Sequence, residues 1–117
     1  QLVSLEKAIS GTIEERYGYT REVTAKMMKD RGYARQHLEL WLTWWWDVFL
    51  VKTNATEYIT NSTRLGSLKV AAEHVDMASI VGLAKSILSA GGFLERNARP
   101  SLVLNQLMLD MPYIEFG

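Results

Sequence analysis

The fold is decided by the stretch Leu38–Lys52, which reads LELWLTWWWDVFLVK and contains all four tryptophans of the 117-residue chain. At about 100° per residue of an α-helix, one face carries five large apolar side chains and a lysine: Leu38, Trp41, Trp45, Val48, Phe49 and Lys52. Trp44 and Trp46 lie roughly 160° apart, on opposite flanks of that face. The polar strip is narrow: Gln36, Glu39, Thr43 and Asp47. A helix that is apolar over most of its circumference needs more than one neighbour. The stretch therefore predicts either the central helix of a helical domain or a helix with one flank covered by another chain.

Capping signals divide the chain before this helix. Thr12, with Glu15 three residues later, is the start of a capping box and predicts a helix that runs to about Asp30. Gly18 lies inside this helix and destabilises it by about 1 kcal/mol relative to alanine, which predicts a bend or a break. We expect Gly32 to separate this helix from the tryptophan helix.

Similar signals organise the chain after Lys52. Asp76 is suited to cap a helix that ends near Arg96, and Pro100 is suited to the first turn of a last helix that ends before Pro112. No stretch favours a strand over a helix. The sequence predicts an all-α fold, a compact bundle of five to six helices, in which residues 1–117 form a single domain.

Composition narrows the class of protein. Thirteen basic and thirteen acidic residues give a formal net charge of zero, whereas binding to a phosphate backbone usually requires a basic excess. The chain has no cysteine, so disulfides and thiolate metal sites are excluded. No apolar run reaches the roughly 20 residues of a membrane span. We expect a cytoplasmic protein without membrane contact, and the start at Gln1 predicts a C-terminal fragment of a longer chain.

No residue pattern points to catalysis. His37 and His74 lack the spacing of a zinc-binding helix and are expected at the surface or at helix ends. Gly91-Gly92 lacks the lysine and the strand of a phosphate loop, and no nucleophile motif is present. We therefore expect no catalytic residues, no cofactor and no metal. Lys52 is expected to extend to water and to offset the dipole of its own helix.

Two groups of apolar side chains lie outside the stripes that are expected to form the core. Trp46 and Leu50 lie outside the main stripe of the tryptophan helix, and partly exposed tryptophan with leucine is a common anchor for a partner. The last helix carries a second apolar side at Leu102 and Leu109, and Phe93 falls among polar residues of the preceding helix. These five residues are the candidate subunit interface.

Two blocks of the sequence resemble a known family. Leu40–Lys52 resembles the W-x-x-D-L-L-x-x-K helix in the C-terminal domain of bacterial clamp-loader subunits, with Trp44, Asp47 and Lys52 at the motif positions. Residues 94–104 resemble that domain's closing L-x-x-N-x-x-P-x-L-x-L element. Asn61 lies where the family often has an asparagine before a short helix. The resemblance covers the chain from about Leu5 to Met111.

The resemblance implies a function in assembly. In this family, and above all in the delta-prime subunit of DNA polymerase III, the domain is an all-helical collar that joins subunits into a ring during DNA replication. The implied partners are other clamp-loader subunits of the gamma/tau and delta types, with DNA reached only through the whole complex. ATP binding belongs to AAA+ domains that this sequence lacks. The isolated fragment is expected to be a monomer or a weak dimer. The three consecutive tryptophans depart from the family pattern.

A helical DNA-binding or regulatory module is the alternative. It would use Arg31, Arg35, Arg96 and Arg99 as phosphate contacts. The neutral net charge favours the assembly function over this alternative.

Overall fold

The computed structural model describes residues 2–117, except for the side chain of Arg31. The all-α prediction is confirmed. Within the described part there are six α-helices: α1 (Leu2–Ile9), α2 (Ile13–Lys29), α3 (Arg31–Lys52), α4 (Leu65–His74), α5 (Met77–Glu95) and α6 (Pro100–Asp110). Two short 3₁₀ helices, Thr56–Tyr58 and Ser62–Arg64, lie between α3 and α4.

The tryptophan helix α3 is the centre of the bundle. It packs mainly against α5 and α4 and also against α2, while α6 packs against α2 and α5. Trp41, Trp45 and Val48 are fully buried, as the periodicity predicts. Trp44, placed on a flank by the sequence pattern, is fully buried as well because α1 covers that flank. Its Nε1 donates to Glu6 Oε2 of α1 at 3.1 Å.

The boundary between α2 and α3 lies at Asp30, not at Gly32. The capping box at Thr12 and Glu15 is present, and α2 continues through Gly18 without a break. Asp30 ends α2 and also caps α3, since its side chain accepts a hydrogen bond from the Gly32 amide at 2.9 Å. An aspartate is well suited to begin a helix, so the second helix starts earlier than the glycine suggests.

Asparagines end two of the helices. Asn54 and Asn97 have φ values of 63° and 64°, the left-handed conformation that asparagine tolerates better than most residues. After α5, the amide of Asn97 donates to Leu94 and that of Ala98 to Phe93, which is the bonding pattern of a Schellman motif. The same pattern follows α3. These two turns set the directions in which the chain leaves its longest helices.

The apolar spacing within α5 predicts an inward stripe of Met77, Ile80, Ala84, Ile87, Leu88 and Leu94, and the observed inward face differs from it. Ile80 and Ile87 are buried as expected, but Leu83 is buried in place of Leu88, which is 64% exposed. The stripe is therefore rotated, because α3 and α6 approach α5 from the side that carries Leu83 and Ala90. Leu88 remains on the surface as an apolar residue that the fold does not use.

A buried arginine connects both ends of the chain. Arg16 on α2 is only 6% exposed. Its five N–H groups donate to main-chain carbonyls at 2.6 to 3.2 Å. These carbonyls belong to the C-terminal ends of α1 and α6 and to the tail: Ala8, Ile9, Met108, Met111 and Pro112. Helix C-termini carry unpaired carbonyls and a partial negative charge, so they take the place of a carboxylate partner.

Candidate functional site: interaction surfaces on an internally bonded scaffold

The tryptophan motif (Trp44, Asp47 and Lys52) forms all its polar contacts as hydrogen bonds within the domain. Asp47 is fully buried and accepts hydrogen bonds from the amides of Thr60 and Asn61 and from the Asn61 side chain, at 2.8 to 2.9 Å. Although Asp47 belongs to the polar strip of α3, it is not exposed, because the loop after α3 folds back over it. Asp47 and Asn61 together fix the path from α3 to α4.

Lys52 has a different partner from the one expected. Its Nζ donates to the carbonyl of Ala72 at 2.7 Å, and the side chain is half-buried. Ala72 lies in the last turn of α4, whose C-terminal end is negatively polarised. The prediction that Lys52 extends to water was therefore wrong: the ammonium, which lies in the last turn of its own helix, bonds to the end of a neighbouring helix.

A second buried charge holds α1 in place. Glu6 is 5% exposed, and its carboxylate accepts from Trp44, Arg64 and Ser67. The pKa of Arg64 is raised by its hydrogen bond and charge interaction with Glu6. Every oxygen of this buried carboxylate thus has donors, which is the condition under which a buried charge is tolerated. Nothing in the sequence pattern of α1 distinguishes Glu6 from a surface glutamate.

The outer flank of α3 carries an aromatic stack. Trp46 is 49% exposed, and its ring lies parallel to that of Phe49 with centroids 4.7 Å apart. Leu50 is half-buried beside them. The structure therefore brings Trp46 and Leu50 together on an accessible face. Phe49, assigned to the core face by periodicity, contributes to this outer surface, which we call the α3 flank (Trp46, Phe49 and Leu50).

A groove of about 710 Å³ lies near the α3 flank. It runs between the first half of α3 and the second half of α5, and its apolar lining includes Met28, Leu38, Leu42, Leu88 and Leu94. Leu42 lies one helical turn before Trp46, on the same side of α3. Sequence reasoning did not find this groove. The available signal was Met28, a large apolar side chain outside the core that is 78% exposed.

The other candidate interface residues lie on α5 and α6. Leu102 is 63% exposed and Leu109 is 45% exposed, and their seven-residue spacing places them on one side of α6. Phe93 is 49% exposed on α5. The main neighbours of α6 are α2 and α5, so the pair on α6 and the α3 flank belong to different parts of the bundle. The five candidate residues do not form one patch.

Three of the arginines expected to contact phosphates in a DNA-binding module lie at one end of the bundle. Arg35 is within 3.4 Å of Glu95, and both side chains are more than 70% exposed. This contact places Arg35 beside the end of α5, where Arg96 follows directly and Arg99 precedes α6; both are exposed. The side chain of Arg31 lies outside the described part. Glu95 and Glu39 lie among these cations, so the end is of mixed charge.

His37 is in the interior, and its assignment to the surface was wrong. It is 5% exposed and lies 2.8 Å from the hydroxyl of Tyr19. Burial, followed by the charge of Lys26, lowers the pKa of His37 to about 4. Burial raises the pKa of Tyr19 to about 12. The face of α3 that carries His37 is covered by α2, a contact that the spacing of apolar residues alone does not reveal.

The described residues offer no metal centre. Among residues 2–117, no group of three or more His, Asp or Glu side chains could hold a metal ion. In the same range, α5 alone has the length and composition of a membrane span, with a mean hydropathy of 1.5. The core helix of a soluble protein meets the same criteria, so α5 assigns no location. No protein-family model, curated protein or solved structure matches this chain.

Proposed function

We propose that this chain is the collar domain of a delta-prime-like clamp-loader subunit, and that its function is to join AAA+ subunits into a ring. The observation that carries the proposal is the agreement in order and spacing between two sequence blocks and the family motifs. Hydrogen bonds join α3 to α1, to α4 and to the loop between α3 and α4. They are formed by three residues of the first block, Trp44, Asp47 and Lys52, and by Asn61. Asn97 and Pro100 from the second block form the turn into α6.

These contacts support the proposal in a specific way. Because Trp44, Asp47, Lys52 and Asn61 form hydrogen bonds inside the domain, a sequence that shares them would share the packing of α3 with α1, α4 and the intervening loop. The motifs therefore determine how the helices pack. The assembly function must come from residues that this packing leaves exposed. The α3 flank and the pair Leu102 and Leu109 are such residues.

The energetics favour assembly through more than one helix. At about 25 cal/mol per Å² of apolar area, a half-exposed tryptophan with its neighbours contributes only a few kcal/mol when covered. Association itself costs about 4 to 15 kcal/mol in lost freedom of motion. One flank alone is therefore too small for a stable complex, and we expect the isolated domain to be a monomer or a weak dimer.

The direct test is reconstitution. The chain is mixed at micromolar concentration with gamma/tau- and delta-type clamp-loader subunits from the same organism, and the products are separated by size exclusion and weighed by native mass spectrometry. We expect one copy of the chain in each ring-sized complex. A chain that stays monomeric while the other subunits associate without it would overturn the proposal.

Matched substitutions locate the contact. Trp46→Ala and Leu102→Ala each remove an exposed apolar side chain from one of the two surfaces and should reduce incorporation. Ile13→Ala is the control, because Ile13 is 59% exposed at the start of α2 and lies outside both surfaces. A control variant that loses incorporation as strongly as Trp46→Ala would show that the effect is not local.

The DNA-binding or regulatory module is a second candidate, favoured by the position of Arg35, Arg96 and Arg99 at one end of the bundle. Fluorescence anisotropy of labelled duplex DNA at 20 and 200 mM salt tests it. Binding that weakens steeply with salt and on Arg96→Ala and Arg99→Ala would support this function. Absence of binding at low salt would exclude it.

A further inference from the structure

A chain of hydrogen bonds joins α2 to α3 inside the domain. Trp41 Nε1 donates to Tyr19 Oη at 3.1 Å, and Tyr19 Oη lies 2.8 Å from His37 Nε2. The imidazole ring of His37 lies between the rings of Trp41 and Tyr33, with centroids 5.3 Å from each. The proposed assembly function uses none of these side chains.

The donors and acceptors in this chain of hydrogen bonds specify which nitrogen of His37 carries a proton. An indole N–H can only donate, so the Tyr19 oxygen is its acceptor. The Tyr19 hydroxyl hydrogen then points to His37 Nε2, which must be unprotonated, with the imidazole proton on Nδ1. A proton on Nε2 would make His37 a second donor toward Tyr19. The hydroxyl hydrogen of Tyr19 would then have no acceptor among the residues that the structure describes.

The charges around His37 also oppose its protonation. The charge of Lys26 on α2 lowers the pKa of the imidazole, and the Lys26 Nζ lies 5.7 Å from the centre of the Tyr33 ring on α3. The exposed Glu22 on α2 acts on Tyr19, and no carboxylate in the described part is hydrogen-bonded to His37. A positive charge at this position would be buried without a partner, which is unfavourable.

We infer that Tyr19, His37 and Trp41 form an acid-sensitive contact between α2 and α3. The contact is stable while His37 is neutral and breaks when His37 takes up a proton. Because α2 also packs against α6 and α1, loss of the contact would loosen these helices from α3. The folded state has the lower pKa, about 4 against 6.5, so the unfolded chain binds more protons between these values. Stability is therefore complete above pH 6.5 and falls as the pH decreases toward 4.

The test compares urea unfolding of the wild-type chain and of His37→Gln, whose amide does not titrate, at pH 7 and pH 4.5. The unfolding equilibrium constant should rise roughly fifty-fold more in the wild type than in the variant over this interval. His74→Gln is the control, since His74 is exposed, and it should follow the wild type. An equal response to pH in the wild type and in His37→Gln would overturn the inference.

NMR titration of the folded wild-type chain gives a second measurement that does not depend on how His37→Gln folds. The His37 ring should remain neutral at pH 5.5, with its proton on Nδ1. The indole N–H of Trp41 should lose protection from exchange over the same pH interval in which His37 is protonated. A His37 that titrates near pH 6.5, or a Trp41 N–H that stays protected after protonation, would contradict the inference.

Discussion

Arg16 and Trp46 represent two regions of this domain with opposite relations to solvent. The charged side chain is inside, 6% exposed and bonded to five carbonyls, whereas the aromatic side chain is outside and 49% exposed. The hydrogen-bonding groups around Arg16 find their partners within the chain. The α3 flank keeps apolar area that the fold leaves uncovered. Internal polar bonds therefore specify this bundle, while part of its apolar surface remains available for association.

Removal of the buried cation should produce the largest loss of stability. Arg16→Met keeps the volume of the side chain roughly constant but leaves five main-chain carbonyls without their donor. We expect a loss of about 3 to 5 kcal/mol in the free energy of unfolding, as for other broken buried charge sites, measured by urea denaturation. A loss below about 1 kcal/mol would show that water replaces the guanidinium, and that the hydrogen bonds of Arg16 contribute little to stability.

Loss of the Asp47 carboxylate, within the tryptophan motif, should have the next largest effect. Asp47→Ala removes the acceptor for two amides and for the Asn61 side chain, with an expected loss of about 2 to 3 kcal/mol. Asp110→Ala, at an exposed position where the carboxylate bonds only to Gln106, is the matched control and should change stability by less than about 0.5 kcal/mol. Similar melting curves for both variants would contradict an internal role for Asp47.

The turn after α5 should show a smaller, conformational effect. Asn97→Ala places a residue less suited to positive φ in the left-handed position and should destabilise the domain by about 1 kcal/mol. Asn97→Gly should have little effect, because glycine adopts this conformation without steric strain. Thermal denaturation of the two variants checks this difference, and equal losses would mean that the asparagine side chain, not its backbone conformation, matters.

The sequence alone predicted the helical class, the capping box at Thr12 and, as one of two alternatives, the central position of the tryptophan helix. These follow from local rules, since periodicity and capping depend on residues a few positions apart. The partners of Arg16, Glu6 and His37 could not be predicted, because each joins elements that are distant in the chain. The exposure of Trp46 followed from its angular position on α3, whereas the burial of Trp44 depended on α1. The groove near Leu88 was missed because its walls come from four separate segments.

The identification of exposed apolar residues as an interface remains a prediction. The structure gives their exposure, and exposure alone does not name a partner. Trp46→Ala should have only a small effect on folding, below about 1 kcal/mol, because half of the side chain is already in solvent.

Two readouts on Trp46→Ala separate subunit contact from folding. Melting temperature and incorporation into the reconstituted clamp-loader complex are measured for this variant beside the wild type. We expect a nearly unchanged melting temperature and an association at least about tenfold weaker, as for an aromatic anchor. Unchanged association, or a loss of association that only parallels a loss of stability, would contradict assembly through the α3 flank.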